Sequence, residues 1–266
     1  MTLLLPSLLG AFCYLIAGAV QAASLSGKRP EQRSLVMGLG LAALLLHTFA
    51  VYRVLHTDSG IQLGLFPVSS LIAWLIAGLV LASSLRKPLT NLFVVIFPLA
   101  AVTLVLALLM PPTAQAQKLE PGIIGHILTS ILAYSIFTIA AVQAFLLACQ
   151  DHELKHHHTR GIVRSLPPLQ LMEQLLFEMI WTGMLLLTAS LLSGFIFLDD
   201  IFAQHLVHKT GLSLAAWTIF AYLLWGRHRW GWRGMTAIRW TLGGFLILML
   251  AYFGSKVVLE ILLTSN

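Results

Sequence analysis

Long apolar runs separated by short polar connections organise this chain. A helix needs about 20 mostly apolar residues to cross a bilayer. Eight stretches meet that length: 3–24, 34–56, 66–85, 89–110, 122–149, 174–198, 203–226 and 236–262. Prolines mark several edges. Pro88 opens the fourth stretch, where a missing N–H costs nothing, and Pro111-Pro112 closes it, because proline cannot continue the ladder. Pro121-Gly122 opens the fifth, and Pro167-Pro168 breaks the connection before the sixth. Pro98 lies inside the fourth and predicts a kink there. The expected fold is all-α: a polytopic membrane protein of eight transmembrane helices, one integral membrane domain over residues 1–266. The longest connection, about 150–173, is too short to hold a soluble core.

Composition agrees with that pattern. The chain is 58% hydrophobic and only 10% charged, against about 25% charged in soluble domains. A formal net charge of +6 would suggest nucleic acid in a soluble protein. Here the basic residues sit in short loops between apolar runs, so they act as topology signals and no nucleic-acid partner is expected. Twelve of the 16 Lys and Arg residues fall in or at the edge of alternate connections: 28, 29, 33, 86, 87, 155, 160, 164, 227, 229, 233 and 239. Arg53, Lys118, Lys209 and Lys256 are the other four. Cytoplasmic loops hold the excess, which predicts an N-out, C-out orientation. The first run lacks a basic n-region and exceeds the usual signal-peptide core of roughly 7–15 residues, so it is expected to be a true span.

Cys13 and Cys149 fall at opposite faces of this arrangement, and neither Cys-x-x-Cys nor Cys-x-x-Cys-His occurs. A disulfide, a thiol-redox centre and covalent haem attachment are not expected. Small residues Gly10, Ala17, Gly18, Gly38, Gly40, Gly243, Gly244 and Gly254 are expected at close helix contacts. No phosphate-binding Gly loop, His-Glu-x-x-His or Gly-x-Ser-x-Gly is present, so an enzyme is not expected. The deepest acidic residues, Glu173 and Glu178, form no buried pair of the kind that couples transport to ions.

Orientation sorts the histidines. His56, His126, His205 and His208 fall outside, His152, His156, His157, His158 and His228 inside, and His47 within the hydrocarbon. His126, Ser130, Tyr134, Phe137 and Ala141 recur at steps of 4, 4, 3 and 4 and share one helical face. That face can wall a flat apolar ligand with one metal-binding centre, or it can be ordinary packing below an interfacial histidine. His205 and His208, spaced i, i+3, follow Asp199 and Asp200, which could hydrogen-bond a ring N–H. The same residues also describe a plain polar helix start. His47 and His56 are nine apart, about 13 Å in rise. A buried ionisable residue such as His47 is a functional hypothesis by default, or a hydrogen-bonded structural histidine. Lys256 and Glu260, one turn apart, are expected to pair. The His152–His158 cluster lies among Lys155, Arg160 and Arg164, so a solvated segment is expected there rather than a metal site.

Over roughly 66–262 the order of features resembles the cytochrome c assembly family, membrane proteins that handle haem, and looks closest to its YpjD-like inner-membrane branch. The resemblance rests on Gly125-His126 with Ala133-Tyr134-Ser135, on Gly231-Trp232-Arg233-Gly234, and on Gly243-Gly244-Phe245 leading to Tyr252-Phe253-Gly254. It implies a multi-pass protein of the bacterial inner membrane that binds or moves non-covalent haem b or supports cytochrome c maturation. By resemblance His126 is one axial ligand of the iron, with His205 or His208 the second and His47, His56, Ser130 and Tyr134 as further candidates. Three departures stand against haem presentation. The family's Trp-rich segment is replaced by Asp199–His205, the late histidine of the penultimate helix by Trp225 with His228 displaced into the loop, and the terminal stretch 263–266 holds no histidine. They favour a second expectation, a structural or regulatory subunit of another membrane protein complex without haem. A transporter of another small substrate is third. Expected partners are the lipid bilayer, haem and other membrane proteins.

Overall fold

The computed structural model describes residues 3–110, 116–156, 166–197 and 204–257, without the side chains of 204–206. The protein is a polytopic, all-α membrane protein. Its helices are α1 (Leu4–Leu25), α2 (Arg33–Leu55), α3 (Leu65–Ser84), α4 (Phe93–Leu109), α5 (Pro121–Lys155), α6 (Leu169–Phe197), α7 (Gln204–Trp230) and α8 (Gly234–Met249). After α8 the chain continues through a π-helical turn, Leu250–Gly254, into the helical turn Ser255–Val257.

Among the described residues, seven helices are long and apolar enough to cross a bilayer. The eighth, α7, has the length at 27 residues. His208, Lys209 and Thr210 at its start and Arg227, His228 and Arg229 at its end dilute its apolar middle. Large apolar side chains point outward, with Leu5, Leu185 and Ile196 each about 70% exposed (68, 69 and 72%). In water that would be an aggregation surface; against lipid it is the expected exterior.

Two stretches extend past their expected ends. The α5 helix runs to Lys155, so His152 is helical, and α6 starts at Leu169. Only 156–168 then connects them, a shorter segment than expected. Likewise α7 continues to Trp230, which places His228, as well as Trp225, inside the helix and not in the loop where His228 was expected. Arg227, His228 and Arg229 suit a helix C-terminus, where the partial negative charge of the last carbonyls attracts cations. Between α2 and α3 a short antiparallel hairpin, His56–Thr57 with Gly60–Ile61, was not anticipated from the apolar pattern. Gly60 needs to be glycine: its φ is +135°, and a Cβ would stand 2.6 Å from the Gln117 carbonyl.

The chain forms two compact units. The first holds Met1–Lys118 with Glu153–Pro167, and the second Leu119–His152 with Pro168–Asn266. In the first, α1 packs on α2 and α4, and α3 on α2 and α4. Phe93 and Phe97 stack at 4.4 Å, and Tyr14 lies 5.3 Å from Phe97. Gly10, Gly18 and Gly40 let Leu46, Pro98 and Phe97 approach, as their spacing implied. In the second, Phe137 of α5 stacks on Phe220 of α7 at 4.0 Å. Gly183 makes room for the Phe137 ring, and Gly244 for Phe220. Gly38 and Gly243, expected at contacts, face open space among the described residues, while Gly122, Gly183 and Gly226 are contact glycines that spacing alone missed.

Candidate functional site

His126 sits in the second turn of α5, half-buried. Its Nδ1 lies 3.0 Å from the Ser190 carbonyl of α6 and 3.3 Å from Ser193 Oγ. A carbonyl oxygen can only accept, so the ring proton resides on Nδ1 and Nε2 keeps its lone pair. The surrounding hydroxyls fix the two helices. Ser130 Oγ donates to the His126 carbonyl at 2.7 Å and is 2.7 Å from Ser190 Oγ. Ser193 Oγ donates to the Ser190 carbonyl at 2.9 Å. Two residues further along α6, toward the helix middle, Trp217 of α7 donates to Thr188 Oγ1 at 2.9 Å. The imidazole is therefore held in one tautomer by backbone, on a helix pair tied together by serine hydroxyls. That is the outer-shell arrangement that orients a metal-ligating histidine.

Below His126 the stripe on α5 turns into packing. Tyr134 lies 5.5–6.0 Å from the rings of Phe245, Tyr252 and Phe253. Phe137 is fully buried, and Ala141 nearly so. So α6, α7 and α8 with its π-helical turn fill the face that could have walled a flat ligand, and His126 with Ser130 is its remaining polar end.

The other expected residues are dispersed. His208 is exposed on α7. His205 belongs to the first turn of that helix with its side chain outside the described residues, as are Asp199, Asp200, Glu260, His157 and His158. His47 and His56 belong to the first unit. His47 is fully buried, with Nε2 2.9 Å from Ser70 Oγ of α3 and the Tyr14 ring edge-on at 5.8 Å. His56 lies just past α2, where Nδ1–H donates to the Tyr52 carbonyl at 3.1 Å and the two rings stack at 4.5 Å. Among the described residues no three His, Cys, Asp or Glu side chains stand together as a metal site. Both cysteines are free.

Glu173 was legible, with Glu178, as one of the two deepest acids; its partner was not. It is 7% exposed in α6, and Arg227 of α7 donates to its Oε1 at 2.7 Å and to the Trp232 carbonyl at 3.0 Å. A buried carboxylate signals a hidden cation, and Arg227 is the basic residue set deepest into the end of the penultimate helix.

Helices of this length and composition, with polar residues confined to helix ends and a few buried hydrogen bonds, define a polytopic helical membrane protein. The chain belongs to the cytochrome C assembly protein family, whose model matches residues 12–263. The match thus takes in most of α1 and all of α2, beyond the 66–262 over which sequence features alone carried the likeness. Inner membrane protein YpjD of Escherichia coli strain K12 is 32% identical over 260 residues, covering 96% of this chain and 98% of that protein. Protein HemX of Brevibacillus brevis is 22% identical over 223 residues, covering 79% of this chain and 82% of the other. No solved structure matches.

Proposed function

We propose that this chain is an inner-membrane haem-binding protein that crosses the bilayer eight times, N-out and C-out, and binds rather than transforms its ligand. One observation carries the reading: the Nδ1–H of His126 is committed to the Ser190 carbonyl, leaving Nε2 as an oriented nitrogen donor without a hydrogen bond among the described residues. Family membership makes haem the group to test, and the donor chemistry at His126 fits an iron ligand. Haem, when bound, would supply an iron that takes imidazole nitrogen donors. The residues of this chain do the rest. The Ser190 carbonyl fixes the His126 tautomer, the Ser130 and Ser190 hydroxyls hold α5 to α6, and a histidine at the start of α7, His205 or His208, is the candidate second donor. The 12-to-4 distribution of basic residues supports the orientation, and the inner membrane is where YpjD, by its name, resides.

The test is the absorption spectrum of the full-length protein in detergent, titrated with haem. A Soret shift that His126→Ala abolishes supports the reading. No shift, or one unchanged in His126→Ala, overturns it. The packed stripe from Tyr134 to Ala141 favours one second reading, a haem-free structural or regulatory subunit. Purification with one stable partner and no haem would decide for it.

A further inference from the structure

Four of the seven tryptophans of this chain, Trp225, Trp230, Trp232 and Trp240, lie where α7 turns into α8. They form one ring-on-ring path. Trp225 meets Trp230 at 4.5 Å, Trp230 meets Trp232 at 5.4 Å and Trp232 meets Trp240 at 5.9 Å, the last two stacked. Tyr222 lies within 5.1–6.2 Å of all four. The turn is built rather than loose. Gly231 and Gly234 have φ of +67° and +51°. Gly226 has no Cβ where the Trp232 indole lies. Backbone N–H groups of Gly231 and Trp232 close on the carbonyls of Arg227 and Gly226.

Each outer indole has an arginine beside it in sequence: Arg229 by Trp230, Arg233 by Trp232 and Arg239 by Trp240. All three arginines are exposed. The one buried carboxylate at this corner, Glu173, is held by Arg227 at 2.7 Å. Arg233 reaches it only at 3.9 Å and stays 74% exposed. The carbonyls of Gly226 and Arg227, in the last turns of α7, already have backbone donors. The corner therefore presents three exposed arginines, each next in sequence to a ring of a rigid aromatic stack, while Glu173, the buried acid described there, is already taken by Arg227. Trp and Tyr rings settle at headgroup level, and clustered Arg at a helix end attracts anionic lipid.

We infer that the α7–α8 corner is a binding site for one anionic phospholipid, its phosphate held by Arg229, Arg233 and Arg239 and its glycerol region against the Trp230–Trp232–Trp240 stack. The occupant is lipid rather than free phosphate, because the aromatic platform has value only to a ligand with an apolar body. The site is independent of His126 and of haem.

Tryptophan fluorescence reads this site directly. The full-length protein is reconstituted into phosphatidylcholine vesicles containing graded amounts of brominated phosphatidylglycerol or, separately, brominated phosphatidylcholine. Half-maximal quenching is expected at a lower fraction of the anionic lipid, by about fivefold for each arginine engaged. The double variant Arg229→Gln/Arg239→Gln is expected to lose that preference, and Lys28→Gln/Arg29→Gln, equally exposed on the first unit, to keep it. Trp230→Phe/Trp240→Phe is expected to remove most of the preferentially quenched share of the signal. Equal quenching by the two lipids would overturn the inference. So would equal loss in the Lys28/Arg29 variant, persistence of the preferential signal in the Trp variant, or full competition by inorganic phosphate. The substituted arginines are exposed, and a thermal-unfolding midpoint equal to that of the parent shows that the fold is kept.

Discussion

His126 and Ser190 are joined by a bond from imidazole Nδ1 to a backbone carbonyl at 3.0 Å. Because the acceptor is backbone, no side-chain change at Ser190 removes it. The tautomer at His126 is a property of how α5 meets α6. The nearby Ser193 hydroxyl, at 3.3 Å, is the longer of the two contacts. Ser193→Ala is therefore expected to leave haem titration nearly unchanged. His126→Gly should abolish it, and added imidazole should restore the Soret shift, since the small molecule can replace the missing ring. Failure of imidazole while the variant stays folded would mean that His126 holds helices rather than iron.

His47 offers the opposite case, a histidine enclosed within the first unit. It is fully buried and bonded to Ser70 at 2.9 Å. Ser70→Ala leaves both ring nitrogens without a side-chain partner, and should cost about 1–3 kcal/mol by the penalty for an unsatisfied buried group. Such bonds within membrane bundles average about 0.6 kcal/mol, so the lower end is expected. His47→Phe alone should cost a similar amount. The double variant should cost less than the sum, because replacing both partners by apolar groups is nearly neutral. Unfolding in mixed detergent, followed by far-UV circular dichroism, gives the cycle. Strict additivity would show that the two groups do not interact.

Helix number and position were legible because bilayer thickness imposes a length that apolar runs display openly. The observed bounds of α1, α2 and α3 differ from expectation by a residue. Where the helices outran the apolar runs, at Lys155 and Trp230, polar residues continued the helix past the hydrocarbon and carried no hydropathy signal. His126 was legible as a polar residue at a helix end, and Glu173, with Glu178, as one of the deepest acids. Their partners were not legible. Ser190 engages through its backbone, which has no sequence signature, and Arg227 looks in sequence like any other basic residue at a helix end. The stripe from Ser130 to Ala141 showed its periodicity but not what would cover it, because spacing cannot tell a ligand wall from a helix interface.

The orientation follows from charge bias alone, so it can be tested separately from haem. Cys13 and Cys149 are free, and replacing both by serine breaks no bond. In that background, Lys28→Cys and Arg229→Cys should be blocked only by a thiol reagent that crosses the membrane. Lys118→Cys should be blocked in intact spheroplasts by one that cannot cross. Reversed labelling would invert the topology, and it would place His126 on the cytoplasmic side.

Gly226 and Gly243 stand on neighbouring helices, α7 and α8, and test whether structure adds to spacing. By spacing, Gly243 belongs to the small-residue face and Gly226 does not. In the structure a Cβ on Gly226 would collide with the Trp232 indole, and one on Gly243 would meet nothing within 4 Å among the described residues. The Trp232 ring cannot yield easily, since it is stacked between Trp230 and Trp240. Gly226→Ala is therefore an overpacking change, expected to cost about 1–3 kcal/mol. Gly243→Ala should be neutral or stabilising by up to about 1 kcal/mol, through the better helix propensity of alanine. Gly183→Ala provides a third point, because its Cβ would come within 2.9 Å of the buried Phe137 ring. Its cost should match that of Gly226→Ala. Thermal unfolding of the three variants beside the parent orders them, and a Gly243→Ala loss as large as that at Gly226 would place α8 in a contact that this arrangement of helices does not contain.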